Sequence, residues 1–259
     1  MHPMLNIAIR AAHAAGDHIV RYVDRVQDIS INSKGRNDFV SEVDRQAEAI
    51  IIETLQKAYP HHSILAEESG EEKNNSEFQW VIDPLDGTTN FLHGFPQFAV
   101  SIALKFRGQL DQAVVYDPMR QELFTASKGG GAYLDRKRMR VSRQSTLDGA
   151  LLGTGFPFRE HDRLDDFLKV FRLFFPVSAG IRRAGAASLD LAYVACGRLD
   201  GFWELGLSEW DYAAGTLLIT EAGGTVGPLP LSGHEDERGN ILAGNMKMYE
   251  LMYSQIKSV

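Results

Sequence analysis

The chain has 259 residues, of which 44% are hydrophobic and 24% are charged, and its formal net charge at pH 7 is −7. This composition excludes an intrinsically disordered chain, and the length is sufficient to bury a substantial core. The acidic surplus argues against non-specific binding of nucleic acids, which requires an excess of Lys and Arg. The basic run at residues 136–143 is more typical of a solvated hairpin end than of a binding patch.

The sequence offers no sign of a membrane segment or an export signal. No apolar run approaches the roughly 18 residues needed to cross a bilayer. Arg10, Asp17 and Arg21 interrupt the N-terminal segment, which therefore lacks the apolar stretch of a signal peptide. Cys196 is the only cysteine, so no intrachain disulfide can form, and we interpret it as a small core residue. We therefore expect a cytoplasmic protein without membrane contacts.

The apolar periodicity of the first 140 residues predicts two helices followed by a meander of strands. The helices are expected at 4–25 and 41–58, and the strands near 62–67, 78–83, 98–106, 112–117 and 121–126. Two helices followed by neighbouring strands are typical of an α+β unit.

After about residue 141 the order changes to alternating strands and helices. We expect strands near 150–154, 200–205, 224–227 and 240–243, and helices at 161–174, 188–197, 211–222 and 246–257. The sequence thus predicts an α+β half at 1–140 and an α/β half at 141–259. No Ser-, Pro- or Gly-rich linker separates them, which favours one compact unit.

The most informative segment is 80–90, where an apolar run ends in Asp83 and Pro84. Pro has no N–H for a strand ladder, so we expect the strand to stop there. Asp86 follows at once, and two close carboxylates repel each other unless a cation lies between them. Carboxylate and carbonyl oxygens at a strand end suit Mg²⁺. The alternative is a Pro/Gly turn in which Asp and Thr act only as caps.

Three further acidic positions accompany this segment. Glu67 and Glu68 end a short apolar strand, and Asp44 lies on the second predicted helix. Asp211 begins a helical pattern, where an acid can equally serve as a cap or a partner of the helix dipole.

These residues carry a family resemblance. Glu-Glu-Ser at 67–69, Asp-Pro-Leu-Asp-Gly-Thr-Thr-Asn at 83–90 and Trp-Asp-Tyr-Ala-Ala-Gly at 210–215 resemble the motifs of the inositol monophosphatase family. Their order and spacing also match, and the resemblance covers nearly the whole chain. It is strongest to the bacterial SuhB-type members. The family consists of Mg²⁺-dependent, lithium-sensitive phosphatases.

The resemblance implies two or three Mg²⁺ ions in each active site. Glu67, Asp83 and the backbone carbonyl of Leu85 would hold the first ion. Asp83 would bridge to a second ion, which Asp86 and Asp211 complete, and Glu67 would also touch a third. Paired metal ions about 4 Å apart can stabilise both the attacking and the leaving oxygen of a phosphoryl transfer.

The resemblance also implies how the phosphate is attacked. Thr88 and Asp44 would orient and deprotonate a water molecule, with Glu67 as a further catalytic residue, so that no phosphoenzyme forms. The backbone amides of Gly87 and Thr88 would cradle the phosphate at a helix N-terminus. Glu68 is expected to be a solvated neighbour or a hydrogen-bonding partner of the ligands.

Substrate contacts are implied for a second group of residues. Asp86 and Glu204 would accept hydrogen bonds from polyol hydroxyls, and the backbone of Ala187 would meet the sugar ring. Arg182 would bind substrate or organise its loop, although it could equally be a surface or subunit-contact residue. Glu204 could be only a strand-end acid, and Lys34 could belong to a loop near the metals. The implied substrate-binding set also contains Leu85, Gly87, Thr88 and Asp211.

The resemblance therefore implies a layered αβαβα sandwich of α/β class with its active site between the halves. The expected activity is hydrolysis of inositol 1-phosphate and related phosphorylated polyols by a homodimeric enzyme. One alternative is a regulatory protein of ribosomal RNA transcription antitermination that contacts Nus factors and RNA polymerase. Another is a broader sugar-phosphate or fructose-1,6-bisphosphate phosphatase. A nucleotide 3′-phosphatase agrees less well with the short chain.

Overall fold

The computed structural model describes residues 2–28, 31–35, 38–157, 161–231 and 239–258. The helices within these ranges are α1 Pro3–Val20, α2 Glu42–Ala58, α3 Thr88–Leu92, α4 Leu164–Phe174, α5 Ala187–Ala195, α6 Glu209–Glu221 and α7 Met246–Ile256. Short 3₁₀ helices occupy Val23–Asp28 and His161–Arg163. No described helix is both long and apolar enough to cross a membrane.

The strands form three sheets. β1 Ile31–Gly35 and β2 Asp38–Ser41 pair as a hairpin. An eight-stranded sheet contains β3 Ser63–Ala66, β4 Gly70–Glu72, β5 Phe78–Asp86, β6 Ala99–Phe106, β7 Gln109–Asp117, β8 Glu122–Ser127, β9 Gly131–Leu134 and β10 Lys137–Arg138. A five-stranded sheet contains β11 Leu151–Thr154, β12 Gly180–Arg182, β13 Gly201–Glu204, β14 Thr225–Pro228 and β15 Ile241–Gly244.

Strand order explains where chain segments meet. The eight-stranded sheet runs β10-β9-β8-β7-β6-β5-β3-β4, and only its β3–β5 pair is parallel. The five-stranded sheet runs β12-β11-β13-β15-β14, in which β11 is parallel to both of its neighbours. The last residue of β3, Ala66, pairs with Ile82 of the parallel strand β5, so the residue that follows β3 lies next to Asp83 within β5.

Alternating side chains bury both faces of the eight-stranded and the five-stranded sheet. Trp80 and Ile82 of β5 belong to the core formed with α1 and α2, whereas Val81 belongs to the core formed with α5 and α6. Phe202 of β13 joins the α5–α6 core, and Trp203 packs with α4 and α7 on the other face. The layers are therefore α1 and α2, the large sheet, α5 and α6, the small sheet, and α4 and α7. This order confirms the predicted αβαβα sandwich.

The structure corrects the predicted end of β5. The strand does not stop before Pro84 but continues to Asp86, with an irregular register between Asp83 and Asp86 against β6. An irregularity of this kind lets a residue without an N–H be accommodated without ending the ladder. The first helix is also shorter than predicted, because α1 ends at Val20 and a 3₁₀ helix follows at 23–28.

The structure also shows where Cys196, the basic run and the predicted division near residue 140 lie. Cys196 follows α5 half-buried against the core, and burial raises the pKa of its thiol. The basic run contains β10, the exposed edge strand of the large sheet. The division near residue 140 remains a prediction. The large sheet lies before it and the small sheet after it, while α5 and α6 pack between them.

Candidate active site

Asp83 lies at the irregular part of β5 and is almost completely buried, with 1% of its surface exposed. The N–H of Leu85 donates to its Oδ1 at 3.0 Å. Burial raises the pKa of Asp83 well above its usual range, and the charges of Glu67, Asp86 and Asp211 raise it further. Carboxylates from three sequence motifs therefore meet around one buried position.

The topology explains how Glu67 reaches this position. Glu67 directly follows β3, and its N–H donates to the carbonyl of Ile82 on the parallel strand β5 at 3.1 Å. A side-chain hydrogen bond joins Glu67 to Asp83. The pair therefore forms where β3 ends beside the irregular part of β5.

Asp44 and Asp211 reach the site through the same local motif, a Ser-Glu-x-Asp capping box at a helix start. In α2, the Ser41 N–H and hydroxyl both donate to Oδ2 of Asp44. In α6, the Ser208 N–H donates to Oδ2 of Asp211 at 2.7 Å. Each acid thus satisfies a helix end and is held in a fixed orientation. The capping interpretation of Asp211 and its place in the acidic cluster are both correct.

Thr88 and Asp44, two of the predicted catalytic residues, are in direct contact. The Thr88 hydroxyl lies 2.7 Å from Oδ1 of Asp44 and 3.0 Å from the carbonyl oxygen of Leu85. Asp44 has no exposed surface, and burial raises its pKa against the lowering effect of its hydrogen bonds to Ser41 and Thr88. A buried carboxylate with a raised pKa is a stronger base than an ordinary one.

Gly87 forms the turn between β5 and α3. Its φ of 95° lies in the left-handed region, and an added Cβ would stand 2.8 Å from the carbonyl oxygen of Gln97. Only glycine meets both conditions without strain. The turn places the amides of Gly87 and Thr88 at the start of α3, where the first N–H groups have no partner within the helix.

Glu48 is a site residue that sequence reasoning missed. It lies one turn after Asp44 on α2, and 3% of its surface is exposed. Its Oε2 accepts the N–H of Glu68 at 2.8 Å, and its Oε1 accepts the N–H of Ser69 at 2.9 Å. The carboxylate therefore fixes the backbone that presents Glu67. The sequence indicates only that Glu48 lies on the same face of α2 as Asp44, because the two residues are four positions apart.

Glu204 ends β13 and is 7% exposed, so it is not a solvated strand-end acid. Burial raises its pKa well above the usual range, and the charges of Asp190, Asp211 and Asp86 add to this effect. An added Cβ on Gly155 would lie 1.8 Å from Oε1 of Glu204. Glycine at 155 thus makes the space in which this carboxylate lies.

The predicted substrate loop is only partly at the acidic cluster. Ala187 begins α5 and is 7% exposed, while Arg182 is exposed on β12 and donates to the adjacent Ile181 carbonyl. The charge of Arg183, not that of Arg182, lowers the otherwise raised pKa of Glu204. The Arg183 guanidinium lies over the Phe156 ring at 4.7 Å. The side chain of Lys34 lies outside the described residues.

Ser188 and Asn90 were not singled out by sequence reasoning, yet both join the two halves of the site. The N–H and the hydroxyl of Ser188 donate to Oδ2 of Asp86 at 2.7 and 2.5 Å. Nδ2 of Asn90 donates to the carbonyls of Ala184 and Gly185 at 2.9 and 3.2 Å.

The donor chemistry fits a hard divalent cation. The groups gathered near Asp83 are carboxylates, the oxygen donors that Mg²⁺ prefers, and their mutual repulsion calls for a positive charge. Among the described residues, no three Asp, Glu, His or Cys side chains are arranged closely enough to hold a metal ion. The ligand set of Glu67, Asp83, Leu85, Asp86 and Asp211 therefore remains a prediction.

Comparisons with known proteins agree with this geometry. The profile of the inositol monophosphatase family matches residues 1–259. A Pseudomonas aeruginosa protein named Nus factor SuhB is 57% identical over 262 residues, covering 99% of this chain and 97% of the relative. The crystal structure of extragenic suppressor protein suhB from Bartonella henselae has a TM-score of 0.94 and 43% identity, covering 99% of both chains. The structure of inositol monophosphatase from Anabaena has a TM-score of 0.86 and 40% identity, covering 98% of this chain and 95% of that one.

Proposed function

Since the chain belongs to the inositol monophosphatase family, we propose that it hydrolyses inositol 1-phosphate and related phosphate monoesters to the alcohol and phosphate. The reaction requires two or three Mg²⁺ ions and is inhibited by Li⁺. Water is the attacking group, and no phosphoenzyme forms. The observation that carries this proposal is the burial of Asp83 among the carboxylates of Glu67, Asp86 and Asp211.

The reaction explains why such a cluster is useful. Uncatalysed hydrolysis of phosphate monoesters is among the slowest known reactions, and its transition state spreads negative charge over the phosphoryl oxygens. Bound Mg²⁺ supplies positive charge to those oxygens and lowers the pKa of water. Glu67, Asp83, Asp86, Asp211 and the Leu85 carbonyl would hold the ions.

Thr88 and Asp44 act on the attacking water. Thr88 donates its hydroxyl proton to Asp44, which leaves its oxygen able to accept a hydrogen bond from water. As the water oxygen bonds to phosphorus and the bond from phosphorus to the alcohol oxygen breaks, the proton of the water moves to Thr88 while Thr88 passes its own proton to Asp44. The leaving alkoxide takes a proton from solvent water and departs as the alcohol. Ser41 holds the second oxygen of the Asp44 carboxylate in place. The residues thus orient the water and provide a base within hydrogen-bond reach.

The remaining residues bind the substrate. The backbone amides of Gly87 and Thr88 at the start of α3 face the phosphate. Glu204 accepts hydrogen bonds from ring hydroxyls, and the backbone of Ala187 meets the ring. Asp86 serves both the cation and a hydroxyl. A polyol phosphate satisfies all these groups, whereas a simple alkyl phosphate leaves the buried carboxylate of Glu204 without a hydroxyl partner.

A substrate panel tests this function. Phosphate release is measured from inositol 1-phosphate, glycerol phosphate, fructose 1,6-bisphosphate and p-nitrophenyl phosphate with Mg²⁺, with EDTA, and with Mg²⁺ plus Li⁺. We expect turnover only with Mg²⁺, the highest kcat/KM for inositol 1-phosphate, and inhibition by Li⁺. A preference for fructose 1,6-bisphosphate would favour the broader phosphatase. No release from any of the substrates would contradict the proposed activity.

A second role is favoured by the relative named Nus factor SuhB at 57% identity. We propose that the chain also takes part in ribosomal RNA transcription antitermination through contacts with Nus factors and RNA polymerase. Catalytic sites and protein contacts can lie on different surfaces of one fold. An antitermination reporter in cells lacking the endogenous protein tests this role with the wild type and with Asp83→Asn. Equal reporter activity would separate the two roles, and no activity from the wild type would exclude the second.

We also propose that the protein is a cytoplasmic homodimer, as the family resemblance implies. Light scattering coupled to size-exclusion chromatography gives the mass directly. A mass near twice the chain mass of 28.8 kDa is expected, and a monomer at micromolar concentration would contradict the proposal. Cell fractionation tests the location.

A further inference from the structure

Ser188 makes an unusual pair of hydrogen bonds to a residue 102 positions away. Its N–H and its hydroxyl both donate to Oδ2 of Asp86, at 2.7 and 2.5 Å, and its side chain has no exposed surface. Two donors from one residue that converge on one oxygen restrict rotation of the carboxylate about its last bond. Hydrogen bonds to a charged acceptor are about twice as strong as neutral ones.

Asn90 forms a second contact between the same two segments. Its Nδ2 lies 2.9, 3.2 and 2.7 Å from the carbonyl oxygens of Ala184, Gly185 and Gln97, so its two N–H groups bond Gln97 and share the adjacent carbonyls of residues 184 and 185. Asn90 lies four residues after Asp86, and Ala184 lies four residues before Ser188. The two contacts therefore hold the start of α3 and the start of α5 side by side.

The hydroxyl of Ser188 is not needed to complete the helix. The backbone of α5 continues normally at this position, and the N–H of Asp190 donates to the carbonyl of Ala186 at 3.0 Å. An alanine would keep the backbone donor to Asp86 and would fit the same space. What the hydroxyl adds is the second bond to Oδ2, so its effect falls on the carboxylate.

We propose that Ser188 is a positioning residue that fixes the Asp86 carboxylate in the orientation that binds Mg²⁺, so that cation binding depends on the docking of α5. Asn90 contributes by holding the backbone at 184–185, which keeps Ser188 within reach of Asp86. This inference rests on the proposed Mg²⁺-dependent function. It adds that the orientation of Asp86, in the first half of the chain, depends on Ser188 in the second half.

Calorimetric titration of the metal-free protein with Mg²⁺ tests the inference without any turnover. Ser188→Ala is expected to weaken Mg²⁺ binding about tenfold, the effect of losing one hydrogen bond to a charged group. Ser63→Ala is the matched control. Ser63 is also a buried serine, and among the described residues its hydroxyl bonds to the backbone of Asn74, at the opposite end of β3 from Glu67. This variant should bind Mg²⁺ as the wild type does.

Asn90→Ala provides a second, independent measurement. It should weaken Mg²⁺ binding in the same direction, and the double variant should lose less than the product of the two single effects, because both residues act through one arrangement. Thermal unfolding without Mg²⁺ establishes that each variant is folded. Mg²⁺ affinity of Ser188→Ala within twofold of the wild type would overturn the proposal, as would fully multiplicative effects.

The outcome for Ser188 is separable from that of the proposed function. A wild-type protein that binds Mg²⁺ but hydrolyses no phosphate monoester would refute the activity and leave the positioning role standing if Ser188→Ala still weakens binding. A wild-type protein that hydrolyses substrate, with a Ser188→Ala variant of unchanged Mg²⁺ affinity, would refute only the positioning role.

Discussion

The hydroxyl of Thr88 donates to Oδ1 of Asp44 at 2.7 Å, although the two residues lie 44 positions apart. The same hydroxyl also lies 3.0 Å from the carbonyl oxygen of Leu85, one of the predicted cation ligands. Ser41 holds the other oxygen of Asp44 from within the capping box of α2. Thr88 thus links the buried carboxylate of Asp44 to the backbone of Leu85, and the proposed mechanism requires a water molecule to be oriented at this position.

Replacing Thr88 tests this position directly. Thr88→Val keeps the shape of the side chain and removes the hydroxyl, so kcat should fall about 10²-fold or more while KM changes little. Thr88→Ser keeps the hydroxyl and is the matched control, with kcat expected near that of the wild type. Steady-state kinetics on inositol 1-phosphate distinguishes the cases. A higher KM with unchanged kcat in Thr88→Val would make Thr88 a substrate-binding residue instead.

Asp83→Asn should abolish Mg²⁺-dependent hydrolysis and leave the fold intact. The variant removes one charge from a buried group of carboxylates that repel one another. We therefore expect the metal-free variant to unfold at a temperature equal to or a few degrees above that of the wild type, since about 1 kcal/mol corresponds to ~2–4 °C at this size. Mg²⁺ should raise the unfolding temperature of the wild type and not that of the variant. Near-wild-type turnover at saturating Mg²⁺ would contradict the bridging role of Asp83.

The parts of this site that could be predicted are those specified by neighbouring residues in the sequence. Asp44 and Asp211 each stand three residues after a serine, and that spacing forms a capping box that fixes the acid wherever the helix packs. Strands that run towards Glu67 and Asp83 could also be expected, because each of these acids follows an apolar run. Local periodicity accordingly gave most elements within a few residues.

The part that could not be predicted depends on distant contacts. Glu48 bonds the backbone of Glu68 and Ser69 from 20 and 21 positions away, and Ser188 bonds Asp86 from 102 positions away. No period or spacing in the sequence encodes such pairs. The prediction that β5 stops before Pro84 was wrong for a related reason. The rule that Pro ends a strand holds for a regular ladder, whereas β5 pairs with β6 in an irregular register between Asp83 and Asp86.

Glu48→Gln tests whether the backbone at 67–69 must be held by a carboxylate. The glutamate accepts two N–H groups through its two oxygens, whereas glutamine has one oxygen and would direct its amide at an N–H donor. The loop that presents Glu67 should loosen, and the Mg²⁺ concentration at half-maximal activity should rise by about tenfold. A rise of less than twofold would show that this backbone is held by other contacts.

Glu122 and Arg198 supply a prediction for the pH dependence of stability. Arg198 donates to both oxygens of Glu122 at 2.5 Å and so joins β8 to the segment after α5. The hydrogen bond from Arg198 lowers the pKa of Glu122, against the opposite effect of burial. A carboxyl with a lower pKa in the folded state stabilises the protein above its unfolded pKa, near 4.3, and this contribution is lost as the pH falls.

Glu122→Gln should therefore unfold at a lower temperature than the wild type at pH 7, and the difference should narrow as the pH falls from about 4.3 towards the lowered folded pKa of Glu122. Because the pair is partly exposed, we expect a difference of about 1 kcal/mol or less at pH 7, or ~2–4 °C. Calorimetry at pH 7, 5 and 3.5 measures this. The same difference at pH 3.5 as at pH 7 would mean that the loss comes from packing and not from the ion pair.

Glu204 is the residue through which the substrate class can be tested. The carboxylate is 7% exposed, lies against Gly155, and has a pKa raised by burial and by the charge of Asp190. A buried acceptor of this kind should favour substrates with hydroxyls that match it. Glu204→Gln should therefore lower kcat/KM for inositol 1-phosphate by roughly 1–3 kcal/mol.

A comparison with p-nitrophenyl phosphate shows whether the loss in Glu204→Gln depends on substrate hydroxyls. That substrate has no ring hydroxyls, so its kcat/KM should fall much less in Glu204→Gln than that of inositol 1-phosphate. Gly155→Ala is a useful companion, because its Cβ would stand 1.8 Å from Oε1 of Glu204 and must displace the carboxylate without changing its charge. It should show the same selective loss. Equal losses on both substrates would assign Glu204 to the structure or the metals, and no loss on either would remove it from the site.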